Sequence, residues 1–286
     1  MGTIFFTSEV FLSMVIAIFV KLLSPKISIE LILLARYILC LPILFIFGFS
    51  SDGKNVLKIE RKKPLIIRIT AGFLGLLFWF LAVSRLEIST ATVLLQTMVI
   101  FTTILASILL NERTSTKKWL AIMVGFLGTI ILLNPTRPDW DGIGLLFGVA
   151  APISAAIMFV YLRKLGQTER TISTALWYNL TCSILMIAWY FLFCSPEKLN
   201  TQQALFLLYI GLLSSFQQLA LALSHKLSEA SKLAPLNYLS IPLSILASYF
   251  IFEDDLDVSF FIGTIAIVYS AYMISIRYST NKLNTL

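Results

Sequence analysis

The sequence is short of charge, and of nearly every residue type that does covalent chemistry. Charged residues make up only 13% of the 286, and His225 is the single histidine. A soluble domain carries about 25% charge, so a water-facing surface of ordinary extent is excluded. Cys40, Cys182 and Cys194 are the only cysteines and all lie in apolar runs, which excludes a disulfide framework. No His/Cys/Asp group has metal-ligand spacing, so no metal is expected. No glycine-rich phosphate loop with its lysine is present, so neither a nucleotide motor nor another cofactor is expected. Buried ionisable residues are too sparse to form a catalytic constellation, and the expectation is that the chain is not an enzyme.

What is abundant is apolar residues, at 58%. They fall into ten runs, at 4–23, 29–49, 64–84, 89–110, 117–134, 142–162, 172–194, 203–224, 230–252 and 257–276. Each is near the ~20 residues that cross a bilayer as a helix. The first run lacks a basic leader and ends at Lys21 without a small-residue cleavage site, so it is expected to be retained. Lipid is therefore a partner of the chain.

Basic residues are distributed unevenly. Sixteen of the 22 fall in even-numbered loops or at the termini, among them the Lys58–Lys63 cluster, with Arg68 counted alongside it. Five fall in odd-numbered loops, and Arg36 lies within a span. Cytoplasmic loops carry the Lys/Arg excess, so both termini are expected in the cytoplasm. The net charge of +7 reports this topology. One short basic loop between spans makes a poor nucleic-acid face, so no nucleic-acid partner is expected.

The chain also repeats itself. "ILASILLNE", Ile104 to Glu112, returns 141 residues later as "ILASYFIFE", Ile245 to Glu253, with five of nine positions identical. The same offset aligns Leu86 with Leu227, Gln96 with Asn237 and Ile100 with Ile241. Five spans per half is an odd number, so the second copy enters the membrane from the opposite face. The expected fold is an all-α membrane protein of ten transmembrane helices built as two inverted five-helix repeats, residues 1–136 and 137–286. Such halves can alternate between facing inward and outward around a midplane site. A non-transporting structural or receptor membrane protein is the reading from another class.

Several stretches resemble the EamA-type proteins of the drug/metabolite transporter superfamily. "KWLAIMVGFLGTIILLNPT" (Lys118 to Thr136) resembles their fifth span, and "LAPLNYLSIPLSILASYFIFED" (Leu233 to Asp254) their ninth. "LLARYIL" (Leu33 to Leu39) is similar to their second span and "LLNER" (Leu109 to Arg113) to the end of their fourth. Asn111 and Phe252 stand where family members often carry glycine. The resemblance implies a ten-helix bacterial inner-membrane carrier of amino acids, S-adenosylmethionine-type metabolites or other small organic solutes, working as importer or exporter. It leaves a homodimer open.

Candidate substrate-binding residues follow from polarity at depth. Arg36 lies about 10 Å into its span at helical rise. It reads either as an anchor for a carboxylate or phosphate or as a structural arginine bonding free carbonyls. Glu9 reads as a proton-coupling site, an ammonium contact or an interfacial residue. By depth it should not reach Arg36. Gln96 and Asn237, at matching repeat positions, are expected at the cavity; Asn179, Gln217 and Gln218 either line it or bond across helices. Trp79, Trp177, Tyr178 and Tyr238 are deep enough to stack on a flat or cationic solute. Trp119 and Trp140 read as interfacial. Gly144, Gly148, Pro152 and Ala156 form a small-residue stripe for close helix approach. The expected cargo is a small polar metabolite, amino-acid-like or S-adenosylmethionine-like.

Overall fold

The computed structural model describes residues 1–109, 116–133, 141–166, 168–227 and 234–283. Glu112, Arg113 and Trp140 lie outside the described residues. Helices occupy all ten expected runs: α1 (Gly2–Leu23), α2 (Ile29–Asp52), α3 (Lys62–Arg85), α4 (Ile88–Gln96), α5 (Met98–Leu109), α6 (Thr116–Leu133), α7 (Gly142–Leu165), α8 (Thr171–Phe193), α9 (Thr201–Leu227), α10 (Ser240–Ala247) and α11 (Val258–Leu283). Among the described residues there is no strand. Among the described residues, seven stretches are long and apolar enough to cross a membrane, and three shorter apolar helices accompany them. Ile46, Leu146, Phe191, Phe250 and Ile265 are among many large apolar side chains left exposed, as suits a surface whose solvent is hydrocarbon. The protein is an integral membrane protein.

Two of the ten runs are broken. The fourth divides at Thr97, whose Oγ1 donates to the Leu94 carbonyl at 2.7 Å, a local bond that competes with the helical ladder. The described part of the ninth runs from a 3-10 turn over Ala234–Leu239 through α10 to a π turn over Ser248–Phe252. Glu253 closes that turn in the left-handed region at φ 56. The two interruptions fall at corresponding positions, next to Gln96 and Asn237.

Helices pair antiparallel. The chief partnerships are α1 with α9, α3 with α7, α2 with α8, α6 with α11, and α4 with α10. Shifting by 141 residues exchanges the first two pairs and maps α2 with α8, and α6 with α11, each onto itself. For α2 and α8 the direction is explicit. The Ser28 N–H donates to both carboxylate oxygens of Glu197, at 3.3 and 3.2 Å, joining the start of α2 to the end of α8. A Cβ built on Gly48, near the end of α2, would lie 3.6 Å from Ile172 at the start of α8.

Small residues set the closest approaches. Gly144, Gly148, Pro152 and Ala156 are all buried on α7. A Cβ on Gly144 would sit 3.0 Å from Arg85 and one on Gly148 2.8 Å from Leu94. Gly125, Gly128 and Gly263 do the same between α6 and α11. There Ser270 Oγ donates to the Ala121 carbonyl at 2.6 Å.

One end of the bundle is fastened by polar contacts among three runs. Lys21 donates to the Leu86 carbonyl and lies 5.7 Å from the centre of the Phe252 ring. Ser248 Oγ donates to Asp254 at 2.8 Å, sits 3.0 Å from Ser89 Oγ, and accepts from the Ser89 N–H at 3.2 Å.

Candidate functional site

Three polar clusters stand in the apolar interior. The first joins α2, α3 and α8. The hydroxyls of Tyr37 and Tyr178 lie 2.9 Å apart, and Tyr178 donates to the Gly72 carbonyl at 3.1 Å. Since the single hydroxyl proton of Tyr178 is thus engaged, Tyr37 is the donor to Tyr178. The two rings meet edge to face with centroids 5.7 Å apart. Arg36 stands over the Tyr37 ring at 5.0 Å and Arg68 over the Tyr178 ring at 4.2 Å. Both arginines are buried, at 3% and 5% exposure.

Arg68 corrects the sequence reading, which counted it with the basic loop. It lies within α3, which begins at Lys62, and faces the interior because Gly72, one turn on, opens that side of the helix to Tyr178. The uneven distribution of basic residues survives its removal from the count.

The second cluster occupies the paired interruptions. Gln96 is buried, and its Nε2 donates to Ser240 Oγ at 2.7 Å and to the Asn237 carbonyl at 3.4 Å. Ser240 Oγ also donates to that carbonyl at 2.7 Å. That carbonyl lies in the 3-10 turn Ala234–Leu239. Gln96 and Asn237 are thus in contact, through the backbone of Asn237.

The third cluster lies between α1 and α9. Glu9 is buried, and its Oε1 accepts from Ser13 Oγ at 2.9 Å and from Gln217 Nε2 at 3.0 Å. Gln217 also donates to Ser13 at 2.8 Å. Glu9 has no ion pair among the described residues and makes no bond to Arg36.

The remaining candidates are dispersed. Asn179 is fully buried and donates to the Ala175 carbonyl one turn back at 2.8 Å. Trp177 spends its indole N–H on the Leu57 carbonyl at 3.0 Å, which ties α8 to the turn after α2. Trp79 and Tyr238 pack, half-buried, against the main core, and Gln218 is buried on α9. A cavity of about 230 Å³ lies apart from these groups, between α1 and α10, lined by Thr7, Val10, Phe11, Leu239, Pro242 and Leu243.

The sequence reading missed Tyr37, Arg68, Ser13 and Ser240. Tyr37 had a signal: it precedes Tyr178 by 141 residues, the offset of the repeat. Arg68 had one too, since it falls inside an apolar run.

The electrostatics of the first cluster are costly. Burying a guanidinium still costs several kcal/mol after relaxation, whereas a cation–π contact returns about 0.5–2 kcal/mol. Arg36 Nη1 and Arg68 Nε and Nη1 are buried without any hydrogen-bond acceptor.

Comparison with known proteins decides the family. The model of the EamA-like transporter family matches residues 1–134 and again 142–276. The chain belongs to the EamA-like transporter family. Among relatives, it is 31% identical over 216 residues to the S-adenosylmethionine uptake transporter of Rickettsia bellii (strain RML369-C), covering 76% of this chain and 73% of that protein. It is 25% identical over 227 residues to the riboflavin transporter of Vibrio cholerae serotype O1, covering 77% and 73%. A solved crystal structure superposes with a TM-score of 0.70 at 17% identity, covering 96% of both chains; that likeness concerns the fold alone. This EamA-like chain is thus a small-metabolite transporter.

Proposed function

We propose that this EamA-like protein is a secondary transporter that carries a small polar organic metabolite across the bacterial cytoplasmic membrane by alternating access, with both termini in the cytoplasm. Residues 1–136 and 137–286 act as two inverted five-helix repeats. The observation that carries this reading is the meeting of repeat-equivalent residues on antiparallel helices. Tyr37 meets Tyr178 and Gln96 meets Asn237, each pair separated by 141 residues. Paired discontinuous spans are where such carriers place their substrate. The fastening of Lys21, Ser89, Ser248 and Asp254 corresponds to closure at the outer end.

In this reading Arg36, Gln96, Tyr178 and Asn237 contact the substrate near the midplane. Glu9, held by Ser13 and Gln217 without a cation, carries the coupling proton. The relatives' names and the combination of guanidinium with aromatic walls favour an S-adenosylmethionine-like or amino-acid-like solute. A sulfonium suits aromatic faces and a carboxylate suits arginine.

The test is uptake by vesicles reconstituted with the purified protein, using labelled S-adenosylmethionine, methionine and riboflavin. Saturable accumulation above empty vesicles is expected for S-adenosylmethionine or methionine. Counts equal to empty vesicles for all three contradict the reading.

A further inference from the structure

We propose that Arg36 and Arg68 together form a two-arginine anion site, which holds the acidic group of the substrate, a carboxylate or a phosphate ester, against the Tyr37–Tyr178 pair. This rests on the transporter reading above and narrows its substrate to solutes carrying such a group.

Two guanidiniums from different helices are brought to one pair of bonded tyrosines, at 5.0 and 4.2 Å from their ring centres. The tyrosine hydroxyls are bonded to each other and to the Gly72 carbonyl, and neither oxygen accepts from the three buried guanidinium nitrogens. Neither arginine forms an ion pair among the described residues; the described bridges there are Arg85–Asp141 and Arg170–Asp52, at helix ends. Three buried guanidinium nitrogens are left with no acceptor. A buried charge normally has a partner, and two cations gathered at one tyrosine pair repel each other as well. One anion removes both penalties, accepting from both forks at once. Arginine suits this task because its planar donors match carboxylate and phosphate oxygens pairwise. The tyrosine faces hold each guanidinium in place beforehand, so less order is lost on binding.

A purely structural pair would have carbonyl or side-chain acceptors on those nitrogens. Lone cation–π contacts leave the N–H edges unused, and the edges are what recognise an anion.

The test uses the purified full-length chain in detergent micelles. Its melting temperature is followed as inorganic phosphate or acetate replaces chloride at constant ionic strength. A saturable rise is expected with at least one anion; a rise with acetate alone indicates a carboxylate substrate, with phosphate alone a phosphate ester. Arg36→Gln and Arg68→Gln should each weaken the apparent affinity about tenfold or more. Arg36→Lys and Arg68→Lys keep the charge and should fall between wild type and the glutamine variants, which decides the matter if the latter do not fold. Lys58→Gln, an exposed loop lysine, should bind as wild type does. No rise beyond chloride in the wild type overturns the proposal, as does a rise undiminished in the arginine variants. Vesicles that accumulate label while the protein ignores both anions would leave the transporter reading standing and this one refuted. An anion response without uptake of the three labelled solutes would leave the two-arginine anion site standing and contradict the substrates named above.

Discussion

The hydroxyls of Tyr37 and Tyr178 lie 2.9 Å apart although 141 residues separate them in the chain. They stand at closely similar depths of α2 and α8, eight and seven residues from the helix starts, and those helices run antiparallel. Each therefore reaches the meeting point from its own end of the bundle. Because Tyr37 donates to Tyr178 and Tyr178 donates onward to Gly72, the two hydroxyls are not equivalent. Tyr37→Phe removes one bond and should cost about 1 kcal/mol. Tyr178→Phe also strands the buried Tyr37 donor and should cost up to about 3 kcal/mol. Denaturant unfolding in micelles measures both; equal costs would contradict the donor order.

The α6–α11 contact is tight at the backbone. A Cβ on Gly263 would lie 2.6 Å from the Leu132 nitrogen and 2.7 Å from the Gly128 carbonyl oxygen. Neither atom can rotate away, so Gly263→Ala should destabilise by about 1–3 kcal/mol. Gly142→Ala, where nothing lies within 4 Å, should be near neutral. The two melting temperatures measured side by side check the contrast.

The helices were legible because lipid imposes a length and an apolar composition on every span, and each of the ten runs contains helix. Two interior features were not. Arg68 was misplaced because a charge near a basic loop looks like part of it, although it falls inside an apolar run; its packing against Tyr178 shows that it faces inward. Trp177 was expected near the substrate from its depth, yet its indole N–H is taken by the Leu57 carbonyl. Which side of a helix a residue faces was hard to read where apolar residues surround the helix on all sides. The repeat offset aligns Gln96 with Asn237, which touch, and extending it to Tyr37 would have found the tyrosine pair.

Glu9 provides a test of coupling. Its carboxyl is held by Ser13 and Gln217, and a glutamine there keeps the shape while losing the exchangeable charge. Glu9→Gln should retain substrate binding but abolish the response of uptake to an imposed pH gradient in vesicles. A response equal to wild type would remove Glu9 from the coupling role.

Asp141 gives a pH dependence outside the membrane. It caps α7, accepting from the N–H groups of Ile143 and Gly144 at 2.9 and 3.1 Å, and pairs with Arg85 at 2.8 Å. The Arg85 bond first, then the bond from the Gly144 N–H, hold its carboxyl below the usual aspartate range. A lowered folded-state value means the stabilisation is complete above the ordinary aspartate pKa, about 3.9, and is lost as pH falls through the depressed one. Asp141→Ala should therefore lower the melting temperature at neutral pH, and the gap from wild type should close in strong acid. A gap independent of pH would contradict this assignment.

The central claim is that the two halves lie inverted about the Tyr37–Tyr178 contact. Lys58 and Leu199 are 141 residues apart, in the α2–α3 and α8–α9 connections, and both are exposed. Cys40, Cys182 and Cys194 would be replaced by alanine, and Lys58→Cys and Leu199→Cys introduced singly. Each chain is then treated in intact cells with a membrane-impermeant maleimide. The account predicts labelling of Leu199→Cys from outside and of Lys58→Cys only after the membrane is opened. Labelling of both from the same side would contradict it.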